Sequence, residues 1–157
     1  MYYNILVPYD GSEHAQHALQ AAFGVAGRDK PADVTVLNVT DEIEFDNSTF
    51  QVAARMAGVP AISEETAESV REKYFSEHRD HVEKQIEEFF ESVPDNIDVH
   101  ITVLGGRPQE VIHEYAEEND FDCIVMGRRG LGAIRGALGS VSYSVLRSTE
   151  LPVLIVK

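Results

Sequence analysis

The chain has 157 residues, 43% of them apolar, and its 27 acidic and 13 basic side chains give a formal charge of −14. This length suits one domain with its own core. The single cysteine has no partner for an intrachain disulfide. The negative charge disfavours nucleic acid and anionic membranes as ligands. No apolar run approaches the roughly 18–20 residues of a spanning helix, and the start lacks a basic signal segment. We therefore expect a soluble, cytoplasmic protein. Its acid excess with few lysines is typical either of salt adaptation or of an ordinary acidic protein.

The first 60 residues predict two strands around one helix. A β-branched run from Tyr3 to Val7 forms the first strand, and a helix begins after Ser12, a good N-cap, and ends near Gly27. The second strand spans Val34 to Val39. Residues 41–60 fit neither the helical nor the strand period, which predicts a flexible loop or a functional lid.

A long helix and a third strand follow. The helix begins after Ser63 and ends before Pro94. Its apolar stripe, which we expect to be buried, consists of Val70, Tyr74, Val82, Ile86 and Phe89. The third strand runs from Ile97 to Val103, and a third helix starts at Pro108, since proline suits the first helical position.

The remaining elements complete a strand–helix alternation. A buried strand runs from Cys123 to Met126, a helix from about Gly139 to Ser148, and a last strand from Val153 to Val156. This alternation predicts an α/β fold, an open, Rossmann-like sheet of five parallel strands with helices on both faces. We see no linker or repeat, so residues 1–157 are expected to form a single domain.

Glycines are concentrated between the fourth strand and the last helix. Five of the 11 glycines fall there, at Gly127, Gly130, Gly132, Gly136 and Gly139. The helix beginning at Gly139-Ser140 offers free amides, a positive dipole end and a hydroxyl, which together favour a phosphate. Gly130 is expected to adopt a positive φ. The alternative is a surface loop that ends in a glycine cap.

A second candidate stretch follows the first strand. Asp10 lies in the turn between Pro8 and Ser12, and ligands of open α/β sheets bind beyond the carboxyl ends of the strands. If the first and fourth strands are neighbours, Asp10 faces the glycine loop and is placed to accept from a base or sugar. Alternatively, it only caps the helix.

These stretches together resemble the universal stress protein family, in its ATP-binding branch, over essentially the whole chain. The resemblance rests on Val7-Pro8-Tyr9-Asp10-Gly11-Ser12, on Gly106-Arg107-Pro108, and on Gly127-Arg128-Arg129-Gly130 followed by Gly139-Ser140. Eight residues separate Gly130 from Gly139, one fewer than in the family pattern. The resemblance implies the strand order 3-2-1-4-5.

The resemblance also implies a ligand, ATP, with AMP or ADP as alternatives, and Mg²⁺ held through the phosphates. The expected site consists of Pro8, Asp10 and Val39 at the adenine and ribose end, Met126, Gly127 and Gly130 at the ribose–phosphate turn, and Gly139, Ser140, Val141 and Ser142 at the phosphates. Arg128 and Arg129 either pair with a phosphate or lie exposed, and Arg135 is a further candidate. The segment from Asp120 to Lys157 holds five basic and three acidic residues, so the basic excess is expected near the phosphates.

The expected function is ATP binding in a regulatory stress-response role, with little or no hydrolysis, because no Walker lysine follows the glycines. The alternatives are an ATP-using enzyme of the same superfamily and a family member that has lost nucleotide binding. The resemblance implies a homodimer formed through residues 152–156, and the regulatory partner is not identified. The two histidine pairs lack a third metal ligand.

Overall fold

Nine helices and strands make up the named elements of the computed structural model, which describes residues 1–40, 52, 55–58, 63–131 and 138–157. The strands are β1 (Asn4–Pro8), β2 (Ala32–Thr40), β3 (Ile97–Gly105), β4 (Cys123–Gly127) and β5 (Val153–Val156). The helices are α1 (Glu13–Val25), α2 (Glu64–Phe90), α3 (Pro108–Glu118) and α4 (Ser140–Ser148). Most of the loop predicted over residues 41–60 lies outside the described residues.

The five strands form one parallel sheet in the order β3-β2-β1-β4-β5, so the predicted architecture and strand order are confirmed. The chain runs outward from β1 through β2 to β3, and then returns to place β4 on the other side of β1. The strand order therefore reverses between β1 and β4. In open α/β sheets this is the point at which ligands bind.

Successive residues of the central strands are buried on opposite faces of the sheet. In β1, Ile5 and Val7 join the core beneath α1 and α2, whereas Leu6 joins the core beneath α3 and α4. All three are fully buried, and each contributes about 1.5–3 kcal/mol of hydrophobic free energy. Burial on both faces explains why the strand reads as a continuous apolar run.

The helix starts agree with their predicted N-caps. The hydroxyl of Ser12 accepts a hydrogen bond from the Ala15 amide at 3.2 Å, and the hydroxyl of Ser63 accepts from the Thr66 amide at 3.2 Å. Each bond satisfies one of the amides that a first helical turn leaves without a partner. None of the described helices is long and apolar enough to cross a membrane.

The predicted stripe of α2 is wrong in its first half. Val82, Ile86 and Phe89 are buried, but Val70 is 47% exposed and Tyr74 is half-buried. A helix of 27 residues is about 40 Å long, whereas the nine-residue strand β3 spans only about 30 Å. About two turns of α2, including Val70, therefore extend beyond the sheet, whereas the Tyr74 hydroxyl lies 2.7 Å from Oγ1 of Thr40 at the end of β2.

Candidate functional site

A cavity of about 580 Å³ lies at the carboxyl ends of β1, β2 and β4, beside the amino-terminal ends of α3 and α4. Eleven of the twelve predicted site residues line it, and Arg128 does not. These eleven are Pro8, Asp10, Val39, Met126, Gly127, Arg129, Gly130, Gly139, Ser140, Val141 and Ser142. The two sequence stretches singled out above thus meet at the reversal of strand order.

One end of the cavity is an apolar slot. Leu37, Ile112 and Met126 contribute buried side chains, and Val39 and Pro108 complete the wall. The carbonyl oxygen of Leu37 accepts a hydrogen bond from the Tyr9 amide at 2.8 Å, toward β1. Because alternate residues of a strand direct their backbone groups to the same neighbour, Val39 presents its N–H and C=O on that side too, past the end of β1. The slot thus offers one donor and one acceptor to a flat ring.

The other end is the amino terminus of α4. Gly139 is the N-cap and no side chain caps the helix. The amides of Ser140, Val141 and Ser142 donate to no described residue outside the helix, and Ser140 is exposed. These three N–H groups and the Ser140 hydroxyl are suited to an anion.

Two other groups expected at the phosphates are already engaged. The Gly139 amide donates to the carbonyl oxygen of Arg128 at 2.9 Å, and the buried Ser142 hydroxyl donates to the carbonyl oxygen of Gly127 at 2.9 Å. Both bonds join α4 to the end of β4. We expected the Gly139 amide and the Ser142 hydroxyl to donate to phosphate. In this conformation they instead hold α4 against the end of β4.

The Asp10 carboxylate joins the turn after β1 to the glycine loop. Its Oδ1 accepts from the Ser12 amide at 3.0 Å and its Oδ2 accepts from the Leu131 amide at 3.1 Å. A Cβ placed on Gly130 would overlap Oδ2 of Asp10. The positive φ expected at Gly130 is wrong, because the described glycines with positive φ are Gly11, Gly58 and Gly106. Glycine is needed at position 130 for space.

The two arginines after β4 differ in direction. Arg129 lines the cavity, and its Nη2 lies 3.4 Å from Nε2 of His14. Arg128 instead donates its amide to the carbonyl oxygen of Val156 at 2.7 Å, which extends the pairing of β4 with β5. Of the two, only Arg129 lines the cavity. A phosphate-binding role for Arg128 is therefore not supported by its position.

Only part of the basic excess in the segment from Asp120 to Lys157 is located at the cavity. Among its described basic residues, Arg129 lines the cavity, whereas Arg147 lies in the last turn of α4 against Tyr143. Lys157 follows β5, and Arg135 lies outside the described residues. Attraction of an anion therefore depends on Arg129 and the α4 amides more than on the composition of the segment.

Two buried titratable groups, Tyr9 beside the cavity and Cys123 at the far end of β4, are shifted toward their neutral forms. Burial raises the pKa of the Tyr9 hydroxyl, and the nearby Asp10 and Glu88 carboxylates raise it further, while the Gln16 side chain opposes the rise. Burial also raises the pKa of Cys123 to about 11, so this thiol is a core group and not a nucleophile. Within the described parts of the chain, no three His, Cys, Asp or Glu side chains are grouped to hold a metal ion.

Several residues that line the cavity were missed from the sequence. They are Tyr9, Ala15, Leu37, Pro108, Ile112, Leu131 and Leu138. Two of these had a readable pattern: Leu37 lies two residues before Val39 and so shares its side of β2, and Ile112 lies one turn after Pro108 in α3. Tyr9 and Ala15 depend on how α1 packs against β4, which no local pattern reveals.

Comparison with known proteins identifies the family. The model of the universal stress protein family matches residues 1–157. The chain belongs to this family. A universal stress protein of Methanocaldococcus jannaschii, MJ0577, is 33% identical over 164 residues, covering 100% of this chain and 96% of that protein. A second universal stress protein of that organism, MJ0531, is 31% identical over 159 residues, covering 100% and 83%.

Solved structures agree with this assignment. The structure of MJ0577 superposes with a TM-score of 0.72 at 30% identity, covering 100% of this chain and 96% of that one. UspA of Lactobacillus plantarum has a TM-score of 0.71 at 25% identity, covering 99% and 98%. Two more distant universal stress proteins share the fold: one is in complex with cAMP (23% identity, TM-score 0.54) and one, from Archaeoglobus fulgidus, is in complex with dAMP (22%, 0.51).

Proposed function

We propose that this universal stress protein binds an adenine nucleotide, with ATP as the preferred ligand, and acts as a nucleotide-dependent regulatory protein. The observation that carries the proposal is the cavity of about 580 Å³, which has an apolar slot at one end and the uncapped amino terminus of α4 at the other. The structures with cAMP and dAMP establish likeness of fold alone, so the choice of ligand rests on this geometry.

The two ends of the cavity match the two ends of a nucleotide. A purine ring fits between Leu37, Ile112 and Met126, and the Val39 backbone groups can hydrogen-bond its edge. Phosphates reach the amides of Ser140 to Ser142, where the helix dipole adds to the attraction, and Arg129 lies on the same wall. Asp10 lies between them, where the ribose would pass.

Mg²⁺ would be held mainly by the phosphates. It prefers oxygen ligands and commonly keeps only one or two carboxylates from a protein. Asp10 is the one carboxylate among the described residues that line the cavity, which is enough for an ion shared with ATP and too little for a cage built from the protein. The ion would supply charge neutralisation between phosphate oxygens.

We propose binding without rapid hydrolysis. A hydrolytic site needs a group that orients or deprotonates water near the last phosphate. The Asp10 carboxylate already accepts from two amides. In a phosphate-release assay with Mg²⁺ and ATP we therefore expect no turnover above the background rate, and sustained turnover that is lost in the Asp10→Asn variant would instead indicate an enzyme.

Calorimetry with ATP, AMP and adenosine tests the binding directly. The key variant is Ser140→Glu, because a carboxylate in the first turn of α4 stabilises the helix but occupies and repels the phosphate position. We expect it to weaken ATP at least about tenfold, roughly 1.4 kcal/mol, with no loss of thermal stability. Ser69→Glu, on an exposed face of α2, is the matched control. Absence of heat and of a melting shift with the unmodified protein would mean that nucleotide binding has been lost.

We also propose a homodimer formed through β5. This strand pairs with β4 on one side and lies at the end of the sheet, and Leu154, Tyr143 and Leu146 are exposed nearby in β5 and α4. An unpaired edge with apolar side chains favours association. Light scattering should give twice the monomer mass, reduced to the monomer by Leu154→Lys but not by Val70→Lys, which charges an exposed apolar residue of α2. A monomeric mass for the unmodified protein contradicts the proposal.

A further inference from the structure

We propose that Asp10 acts on the nucleotide site chiefly by positioning Gly130 and Leu131, at the start of the glycine loop, and only secondarily by touching the ligand. This inference rests on the proposed nucleotide binding and concerns the control of the same site. Asp10 joins two parts of the chain that are separated by 121 positions, since its Oδ2 accepts from the Leu131 amide. Its Oδ1 accepts from the Ser12 amide within its own turn.

On the Asp10 side the contact begins beside the buried N-cap of α1. Ser12 is 7% exposed, caps α1 through Ala15, and its hydroxyl lies 3.5 Å from the carbonyl oxygen of Arg129 as a donor. Two bonds from the turn before α1, one from Asp10 and one from Ser12, therefore reach the loop at Leu131 and Arg129. The start of the loop, from Arg129 to Leu131, is therefore held against the turn before α1 without a ligand.

The two described ends of the loop also contact each other. The Gly139 amide donates to the carbonyl oxygen of Arg128 at 2.9 Å, which joins the N-cap of α4 to the residue that follows β4. Near its start, Gly130 lies directly against Oδ2 of Asp10, with no room for a Cβ. The Asp10 carboxylate thus sets where Gly130 and Leu131, both of which line the cavity, lie relative to the α4 amides.

The two roles of Asp10 predict different ligand dependence. A carboxylate that contacts the base or ribose contributes equally to adenosine, AMP and ATP. A carboxylate that positions the loop contributes mainly to ligands whose phosphates reach the loop and α4. Each Asp10 oxygen still has a lone pair, but a ligand hydroxyl would have to share it with an amide already bound.

The experiment compares the unmodified protein with Asp10→Asn and Asp10→Ala, and uses Glu13→Gln, exposed in the same turn, as the control. Without ligand, amide hydrogen exchange at Leu131 is followed by NMR. We expect it to be at least about tenfold faster in Asp10→Ala, faster by a smaller factor in Asp10→Asn, whose one oxygen can accept from only one of the two amides, and unchanged in the control. By calorimetry we expect ATP to weaken at least about tenfold and adenosine less than about twofold.

Each outcome decides the proposal. Unchanged exchange at Leu131 overturns it, and so does an equal loss of affinity for adenosine and ATP, which would identify Asp10 as a direct ligand contact. If the unmodified protein binds no nucleotide, the proposed function fails, and the exchange measurement alone then tests whether Asp10 holds the loop. Asp10→Asn keeps the size of the side chain, so a folding defect confined to Asp10→Ala does not remove the test.

Discussion

Gly130 cannot accept a side chain while Asp10 keeps its present contacts. Among the described atoms, a Cβ on Gly130 would meet only the Asp10 carboxylate, overlapping Oδ2 and lying 3.4 Å from Cγ. The obstructing group is a short, exposed side chain, so its rotation is the least costly response, and rotation breaks the bond to the Leu131 amide. A hydrogen bond to a charged group contributes about 1.5–3 kcal/mol, and solvent exposure favours the lower end. Gly130→Ala should therefore destabilise the protein by about 1.5 kcal/mol.

Thermal unfolding monitored by circular dichroism measures this effect. For a chain of this length each kcal/mol lowers the Tm by about 2–4 °C, so we expect a fall of about 3–6 °C and, in calorimetry, at least about tenfold weaker ATP binding. In an Asp10→Ala background the same glycine substitution should cost less than about 0.5 kcal/mol, a coupling of about 1 kcal/mol. Gly24→Ala, in α1 with no atom within 4 Å of its Cβ, should stabilise by about 0.5–1 kcal/mol. Equal falls in both Asp10 backgrounds would refute the reasoning.

Three further predictions concern the surroundings of the site. Gly127→Ala should destabilise the protein more than Gly130→Ala does, with a total loss of about 2–3 kcal/mol in urea unfolding. The reason is that its Cβ would lie 2.7 Å from the main chain of α1, which cannot rotate away. A smaller loss would contradict this. Ser12→Ala should lower the free energy of unfolding by about 1 kcal/mol. Ser63→Ala should barely change the Tm, since the exposed first turn of α2 frays independently of the rest of the protein. Equal effects of the two substitutions would be evidence against this difference. Cys123, buried with a pKa of about 11, is about one part in 1,000 thiolate at pH 8 and should react with a disulfide reagent only after denaturation; rapid labelling of the folded protein would show otherwise.

The sequence by itself determined the elements and their order. Ser12 and Ser63 could be recognised as helix N-caps from the sequence, because an N-cap side chain accepts a hydrogen bond from an amide only three residues later. The continuous apolar runs predicted strands buried on both faces, because such a strand has no solvent-facing side on which alternate residues could be polar. The glycine cluster, the Asp10 turn and the family resemblance together named twelve candidate site residues, and eleven of them line the cavity.

Only the tertiary structure decided how those residues are used. The contact of Asp10 with Gly130 and Leu131 joins positions about 120 residues apart and depends on the register of α1 against β4, so no local pattern carries it. Arg128 and Arg129 are neighbours of the same residue type, and only the structure shows that Arg129 lines the cavity while Arg128 does not. Val70 follows the helical period but is exposed because α2 is longer than the sheet it covers. Periodicity reports which face of an element is apolar, whereas the partner of that face is set by packing across the whole chain.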